Sequence, residues 1–187
     1  MSKSVLDMSM SLDGYIADPN DFLGGHDGER LHKWADSDRH PEPVKQFQDE
    51  WNRAGAILAG RRTAELMDHW GGSHGGLPIF VPSHRPPGPA ARWGYPLVTY
   101  VNDGIESAMA QAKAAAGERD VQIRGGAYTV RQALQAGVLD EVQIHHIPVL
   151  LGAGRRLFDV LPSEIELDIG QVIDTPEATH IRYRVRR

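Results

Sequence analysis

The chain of 187 residues contains no cysteine. Disulfides, thiolate zinc sites and cysteine nucleophiles are thereby excluded, and with them zinc deaminases of the His-x-Glu…Pro-Cys-x-x-Cys type. An excess of positive charge is also missing: 20 Lys and Arg stand against 25 Asp and Glu, a formal net charge of −5. Nucleic acid and anionic membranes need a basic field, so neither is expected as a partner, and any anion must be held locally. No apolar run is long enough for a signal peptide or a membrane span, which makes the cytoplasm the expected location. There is no Gly-x-Gly-x-x-Gly fingerprint, no nucleophile elbow and no His/carboxylate spacing suited to a metal. His69 and His74 are read as packed or solvated, and His145-His146 as neighbours on opposite faces of a strand.

What is present is ordinary globular composition, 41% hydrophobic and 24% charged, which fits one compact domain over residues 1–187. Leu6, Met8, Met10 and Leu12 alternate with Asp7, Ser9 and Ser11, the pattern of a strand with one buried face, and Asp13-Gly14 marks a turn before Tyr15-Ile16-Ala17. A loop from Asp18 to Gly28 leads to a short helix around Leu31 and Trp34, and Val44, Phe47 and Trp51 predict a second helix over 43–53. Ala56–Ala59 reads as a buried parallel strand, followed by a helix capped by Thr63. Strands over 79–81 and 97–101 flank a Pro-rich connection; a helix over 105–116 ends at Gly117. A strand over 121–123, a helix over 128–136 and a strand over 142–147 come next, then a helical turn over 157–161. Ile165, Leu167, Ile169 and Ile181, Tyr183, Val185 form an antiparallel pair, with His180, Arg182, Arg184 and Arg186 on its exposed face. This succession predicts a three-layer α/β fold, a mainly parallel central sheet with antiparallel C-terminal strands.

Ligands of such sheets bind beyond the carboxyl ends of strands, where helix amino termini present free N–H groups. Arg124-Gly125-Gly126-Ala127, followed by Tyr128 and Thr129, lies directly between a strand and a helix, and its glycines allow a pyrophosphate close to the backbone. A tight turn without a ligand is the alternative. Gly60-Arg61-Arg62-Thr63 occupies the same kind of position, and one of Arg61 and Arg62 is suited to a 2′-phosphate; two solvated arginines are the alternative. Ser83-His84-Arg85 offers hydroxyl and cationic donors for the same phosphate, or is a plain polar loop.

Met10-Ser11-Leu12-Asp13-Gly14-Tyr15-Ile16-Ala17, Gly60-Arg61-Arg62-Thr63, Arg124-Gly125-Gly126-Ala127, Leu139-Asp140-Glu141-Val142 and Pro148-Val149-Leu150-Leu151-Gly152 occur in this order. Together they resemble the reductase domain of bacterial riboflavin biosynthesis and its dihydrofolate-reductase-like relatives over nearly the whole chain. The resemblance implies that fold, NADPH as hydride donor and a homodimer. By motif matching, Gly60–Thr63 and Gly125–Ala127 hold cofactor phosphates, while Ser11 and the stretch Val149, Leu150, Leu151, Gly152 lie nearer the nicotinamide and substrate. Arg155, in a Gly-rich cationic stretch, is a candidate for an anionic substrate group. Two features depart from the relatives. The zinc deaminase domain that often precedes the reductase has no cysteines here. The acid that assists pterin protonation in dihydrofolate reductase has only Asp27 or Glu29 in a comparable stretch, either of which also reads as a surface carboxylate.

The expected function is therefore NADPH-dependent reduction of a C=N or C=O bond in a small heterocyclic or sugar-derived substrate, akin to 5-amino-6-(5-phosphoribosylamino)uracil reduction. Dihydrofolate reduction and a non-catalytic NADP(H)-binding module are the alternatives.

Overall fold

A computed structural model describes residues 2–20, 30–35, 45, 49, 53–86, 94–161 and 163–186. Most of the helix expected over 43–53, most of the loop at 18–28, and the acid candidates Asp27 and Glu29 lie outside these residues. The strands are β1 (Ser4–Ser11), β2 (Tyr15–Ala17), β3 (Ala54–Ala59), β4 (Ile79–Pro82), β5 (Val98–Val101), β6 (Asp120–Arg124), β7 (Glu141–Ile147), β8 (Arg155–Arg156), β9 (Leu167–Asp174) and β10 (Thr179–Val185). The α-helices among the described residues include α1 (Arg61–Leu66), α2 (Ile105–Ala116) and α3 (Ala127–Gln135). The large sheet has eight strands in the order β5-β4-β3-β6-β1-β7-β10-β9, and β2 pairs with β8 separately.

The chain divides into two compact units. Residues 1–6 and 53–140 form the first, in which β5, β4, β3, β6 and the start of β1 run parallel. All six residues of β3 are buried, as a central strand covered on both faces requires. Helix α2 presents Ile105, Ala108, Met109, Ala112 and Ala116 as one buried stripe and stops at Gly117, whose φ of +65° is the usual left-handed termination. The small stripe lets α2 approach β3 very closely. A Cβ added at Gly55 would stand 2.7 Å from the backbone of Ala116. Asp140 closes this unit by accepting the backbone N–H and hydroxyl of Ser4, both at 2.9 Å, and the Lys113 ammonium at 3.2 Å.

Residues 7–52 and 141–187 form the second unit, where β10 pairs antiparallel with both β7 and β9. The single-faced pattern expected for β1 is corrected here: Ser9 and Ser11 are buried alongside Met10. β1 is an interior strand of the sheet, and Ser9 Oγ accepts the Trp34 Nε1–H at 2.8 Å. His180 is likewise not on an exposed face. It is 1% exposed, its Nδ1 lies 2.6 Å from that of His145, and the Trp34 ring meets both imidazoles. The helical turn expected over 157–161 does not form; the chain instead pairs Arg155 and Arg156 with Ala17 and Tyr15 as β8.

The helix expected after Gly60 starts at Arg61, with Gly60 as its N-cap and Thr63 inside the first turn, so Thr63 caps nothing. Its hydroxyl and methyl are needed elsewhere, against Gly125.

Because Ala116 can retreat from β3 only by moving the whole of α2, Gly55→Ala is expected to cost about 1–3 kcal/mol of stability through overpacking. Denaturant unfolding of the variant measures it; an unchanged midpoint would show that α2 does not pack as described.

Candidate functional site: two glycine turns and a carboxylate-clamped loop

In the first unit β3 and β6 are parallel neighbours with Ala59 opposite Arg124, so the turns that leave them emerge side by side. Gly60 donates its N–H to the Gly125 carbonyl at 3.1 Å. A Cβ on Gly60 would lie 2.8 Å from Thr129 Oγ1 and 3.0 Å from the Gly125 carbonyl oxygen, and one on Gly125 would lie 2.9 Å from Thr63. Gly125 and Gly126 adopt φ of +64° and +82°, a region that side chains avoid. Gly126 is the N-cap of α3, and the first N–H groups of that helix have no partner within it. The two turns are thus interlocked, with backbone donors and the positive end of a helix dipole at one place.

Arg61 connects this pair of turns to the third predicted stretch. Its Nε pairs with Glu65 at 2.8 Å, and its Nη1 reaches Ser83 Oγ at 3.0 Å, the Arg85 carbonyl at 3.1 Å and the Pro86 carbonyl at 3.0 Å. Ser83 Oγ also accepts the Arg85 N–H at 3.2 Å. Arg61 is therefore committed to shaping the loop after β4, while Arg62, His84 and Arg85 are exposed on the surface. Arg124 donates to Gln122 at 2.8 Å; Tyr128 is exposed, and Thr129 is buried towards Gly60. All three stretches predicted from sequence to hold phosphate come together in one unit.

In the second unit the organising group is one that the sequence marked as a turn signal within the Met10–Ala17 motif, with no side-chain role assigned to it. Asp13 accepts the Ser11 hydroxyl at 2.6 Å, the Leu151 N–H at 3.1 Å and the Gly152 N–H at 2.7 Å. Ser11 Oγ in turn accepts the Tyr15 N–H at 2.9 Å, and Leu12 donates its N–H to the Val149 carbonyl at 2.9 Å. The loop Val149–Gly152 is thus fixed against the end of β1. Its Leu150 and the neighbouring Leu12 point outward, at 69% and 68% exposure, an apolar pair beside a rigid polar clamp. Arg156 donates to the Asp13 carbonyl at 3.2 Å and lies 4.7 Å above the Tyr15 ring. Ser11 has its hydroxyl engaged in the turn, and Arg155 is exposed on β8. The spacing Ser11-x-Asp13, a hydroxyl two residues before a carboxylate, was the available signal for the clamp.

The fold belongs to the dihydrofolate-reductase-like class of α/β proteins. The family model of the RibD C-terminal domain matches residues 3–180, and the chain belongs to that family. It is 27% identical over 185 residues to the uncharacterized protein YwjB of Bacillus subtilis (strain 168), covering 97% of each chain. Among solved structures it is similar to a putative riboflavin biosynthesis protein from Shewanella sp. PV-4, with a TM-score of 0.76, 25% identity and 99% of both chains covered. It also shares its fold with the diaminohydroxyphosphoribosylaminopyrimidine deaminase/5-amino-6-(5-phosphoribosylamino)uracil reductase of Thermotoga maritima, at a TM-score of 0.60 and 15% identity, matching 57% of that longer chain. Among the described residues no cluster of His, Asp and Glu is arranged for a metal ion, and no helix is long and apolar enough to cross a membrane.

The Ser11 hydroxyl, more than the Gly152 and Leu151 amides, holds the Asp13 carboxyl down from the usual 3.8 to about 2. A depressed carboxyl stabilises the fold when ionised, so its contribution is complete above pH 3.8 and is lost as the pH falls through about 2. Asp13→Ala should accordingly lower the melting temperature at pH 7 and lose that effect in strong acid. Equal destabilisation at both pH values would refute the clamp.

Proposed function

We propose that the chain is an NADPH-dependent reductase that delivers hydride to a C=N or C=O bond of a small heterocyclic or sugar-derived substrate, of the kind reduced in riboflavin biosynthesis. The observation that carries this reading is the interlocked pair of glycine turns, Gly60 with Gly125-Gly126. Close packing alone explains the absence of a side chain at Gly60. The positive-φ Gly125-Gly126 pair at the N-terminus of α3 is suited to letting an anion approach the free N–H groups of that helix. The pyrophosphate would be held by the free N–H groups at the start of α3, beside these turns.

In this reading Gly60, Thr63, Gly125, Gly126, Ala127, Tyr128 and Thr129 hold the cofactor's phosphates, and Arg124 is a further phosphate neighbour. Arg61 keeps Ser83 and Arg85 in place, and the 2′-phosphate is assigned to the exposed cations Arg62 and Arg85. The nicotinamide supplies the hydride when bound. Ser11 positions Asp13, and Asp13 positions the Val149–Gly152 loop, whose Leu150 and Leu151 give the substrate an apolar wall. Arg155 supplies a cation for an anionic substrate group. The substrate's proton donor is sought among Asp27 and Glu29.

The reading includes a homodimer, and β9 supports it. Leu167, Ile169 and Val172 are 38%, 69% and 54% exposed on the terminal strand of the sheet. A register shift opposite Arg182 and Tyr183 leaves Gly170 as an extra residue, which brings Val172 onto the face of Leu167 and Ile169. An apolar stripe on an edge strand is an expected site of self-association.

Fluorescence titration of the purified chain is expected to show NADPH binding more tightly than NADH, and absence of binding by both would remove the reading. Gly125→Ala, strained at φ +64° and pressed against Thr63, should weaken NADPH at least about tenfold, the loss of one hydrogen bond to a charged group. Arg62→Ala should narrow the preference for NADPH over NADH; an unchanged ratio in it and in Arg85→Ala would remove their 2′-phosphate role.

A further inference from the structure

After α1 the backbone enters a left-handed turn that ordinary packing does not call for. Asp68, His69 and Trp70 have φ of 45°, 51° and 51°, and Gly71 and Gly72 continue at 69° and 98°. Consecutive non-glycine residues in this region are strained, and such strain persists only where its surroundings over-determine it. Here it buries an imidazole completely. His69 is 0% exposed, with Nε2 2.7 Å from the Tyr100 hydroxyl and Nδ1 without a hydrogen-bond partner among the described residues. Burial lowers its pKa below the usual 6.5 against the pull of Asp68 and Glu65, so the ring is neutral at pH 7. A bare lone pair is tolerated in an interior better than an orphaned N–H, which places the proton on Nε2 as a donor to Tyr100.

Tyr95 braces the same turn. Its hydroxyl reaches Asp68 at 3.3 Å, and its ring occupies the space that a side chain at Gly72 would need. On the other side, the Tyr100 ring faces the Arg61 guanidinium at 5.9 Å, within cation–π range. Arg61 is the residue that holds Ser83, the Arg85 carbonyl and the Pro86 carbonyl. A continuous series of contacts therefore runs from the strained turn through His69, Tyr100 and Arg61 to the loop after β4, all within one unit. A Leu facing a Phe would fill the same volume without an underused imidazole. The polar pair makes sense if it sets the angle of the Tyr100 ring and, through it, Arg61.

We propose that His69 and Tyr100 are positioning residues for cofactor selectivity: they fix Arg61, and hence Ser83 and Arg85, in the arrangement that distinguishes NADPH from NADH. This rests on the NADPH reading for its ligand, but not for its geometry.

The test compares H69L, Y100F and H69Q with the parent chain. Gln carries an amide N–H close to the place of imidazole Nε2, so it serves as the conservative rescue. Amide hydrogen exchange without cofactor is read first. The Arg85 N–H, bonded to Ser83 Oγ, should exchange about tenfold faster in H69L and Y100F, the factor carried by one hydrogen bond, and return towards the parent rate in H69Q. Val130 and Ala133 on α3 report that the fold is intact. NADPH should then bind about tenfold more weakly to H69L and Y100F, with NADH unchanged and H69Q close to the parent. Unchanged Arg85 exchange, equal weakening of both dinucleotides, or failure of Gln to rescue overturns the proposal. A parent chain that binds no NADPH removes the cofactor reading and with it the selectivity role, while the exchange rates still decide whether His69 holds the loop.

Discussion

The constraint on which the first unit depends is the closeness of two backbones. β3 and β6 are hydrogen-bonded parallel neighbours, and the chain leaves both at the same level, Gly60 donating to the Gly125 carbonyl at 3.1 Å. Side chains on either turn would force the strands apart or the helices off them. The glycines are thus needed for packing before any ligand is considered, and the free N–H groups at the start of α3 lie beside them. Gly125 and Gly126 add positive φ values of 64° and 82° to this close approach, a second reason why side chains are not accommodated there.

A carboxylate plays the comparable part in each unit by tying chain ends that are far apart in sequence. Asp140 holds Ser4 against the turn before β7, and Asp13 holds the 149–152 loop against the end of β1. Burial works against the ionised form of Asp140, and the backbone N–H and hydroxyl of Ser4 with Lys113 outweigh it to keep the carboxyl below its usual pKa. Both carboxylates are structural in the first instance. In the proposed reading Asp13 matters further through the loop it immobilises, since a loop that orders a substrate is useful only if it is already fixed.

Much of this was legible in the sequence because the informative patterns were local. The α2 stripe, its stop at Gly117, and the glycine turns at 60 and 125–126 are set by residues within a few positions of one another. The elements misread were governed by distant partners. Ser9 and Ser11 look like a solvent face until β1 is placed inside the sheet, and His180 looks exposed until His145 and Trp34 close over it. Thr63 looks like a cap because hydroxyls usually are; its neighbour Gly125 comes from another turn. The alternation at Leu167 and Ile169 marked a strand correctly, but it could not tell whether this chain or another covers the face. Of the site, the three stretches proposed to hold phosphate were readable as motifs. The hold of Asp13 on the 149–152 loop and the pair His69–Tyr100 were not, since these exist only through contacts between residues distant in sequence.

The central claim is that the interlocked glycine turns bind the pyrophosphate of NADPH. Adding NADPH to the 15N-labelled chain and following its amide resonances tests this most directly. The account predicts that the amides of Gly125, Gly126 and Ala127 shift together at low cofactor concentration, while those of β9 and β10 stay in place. NADPH binding that leaves the three amides unmoved, or no shift anywhere in the spectrum, would contradict it.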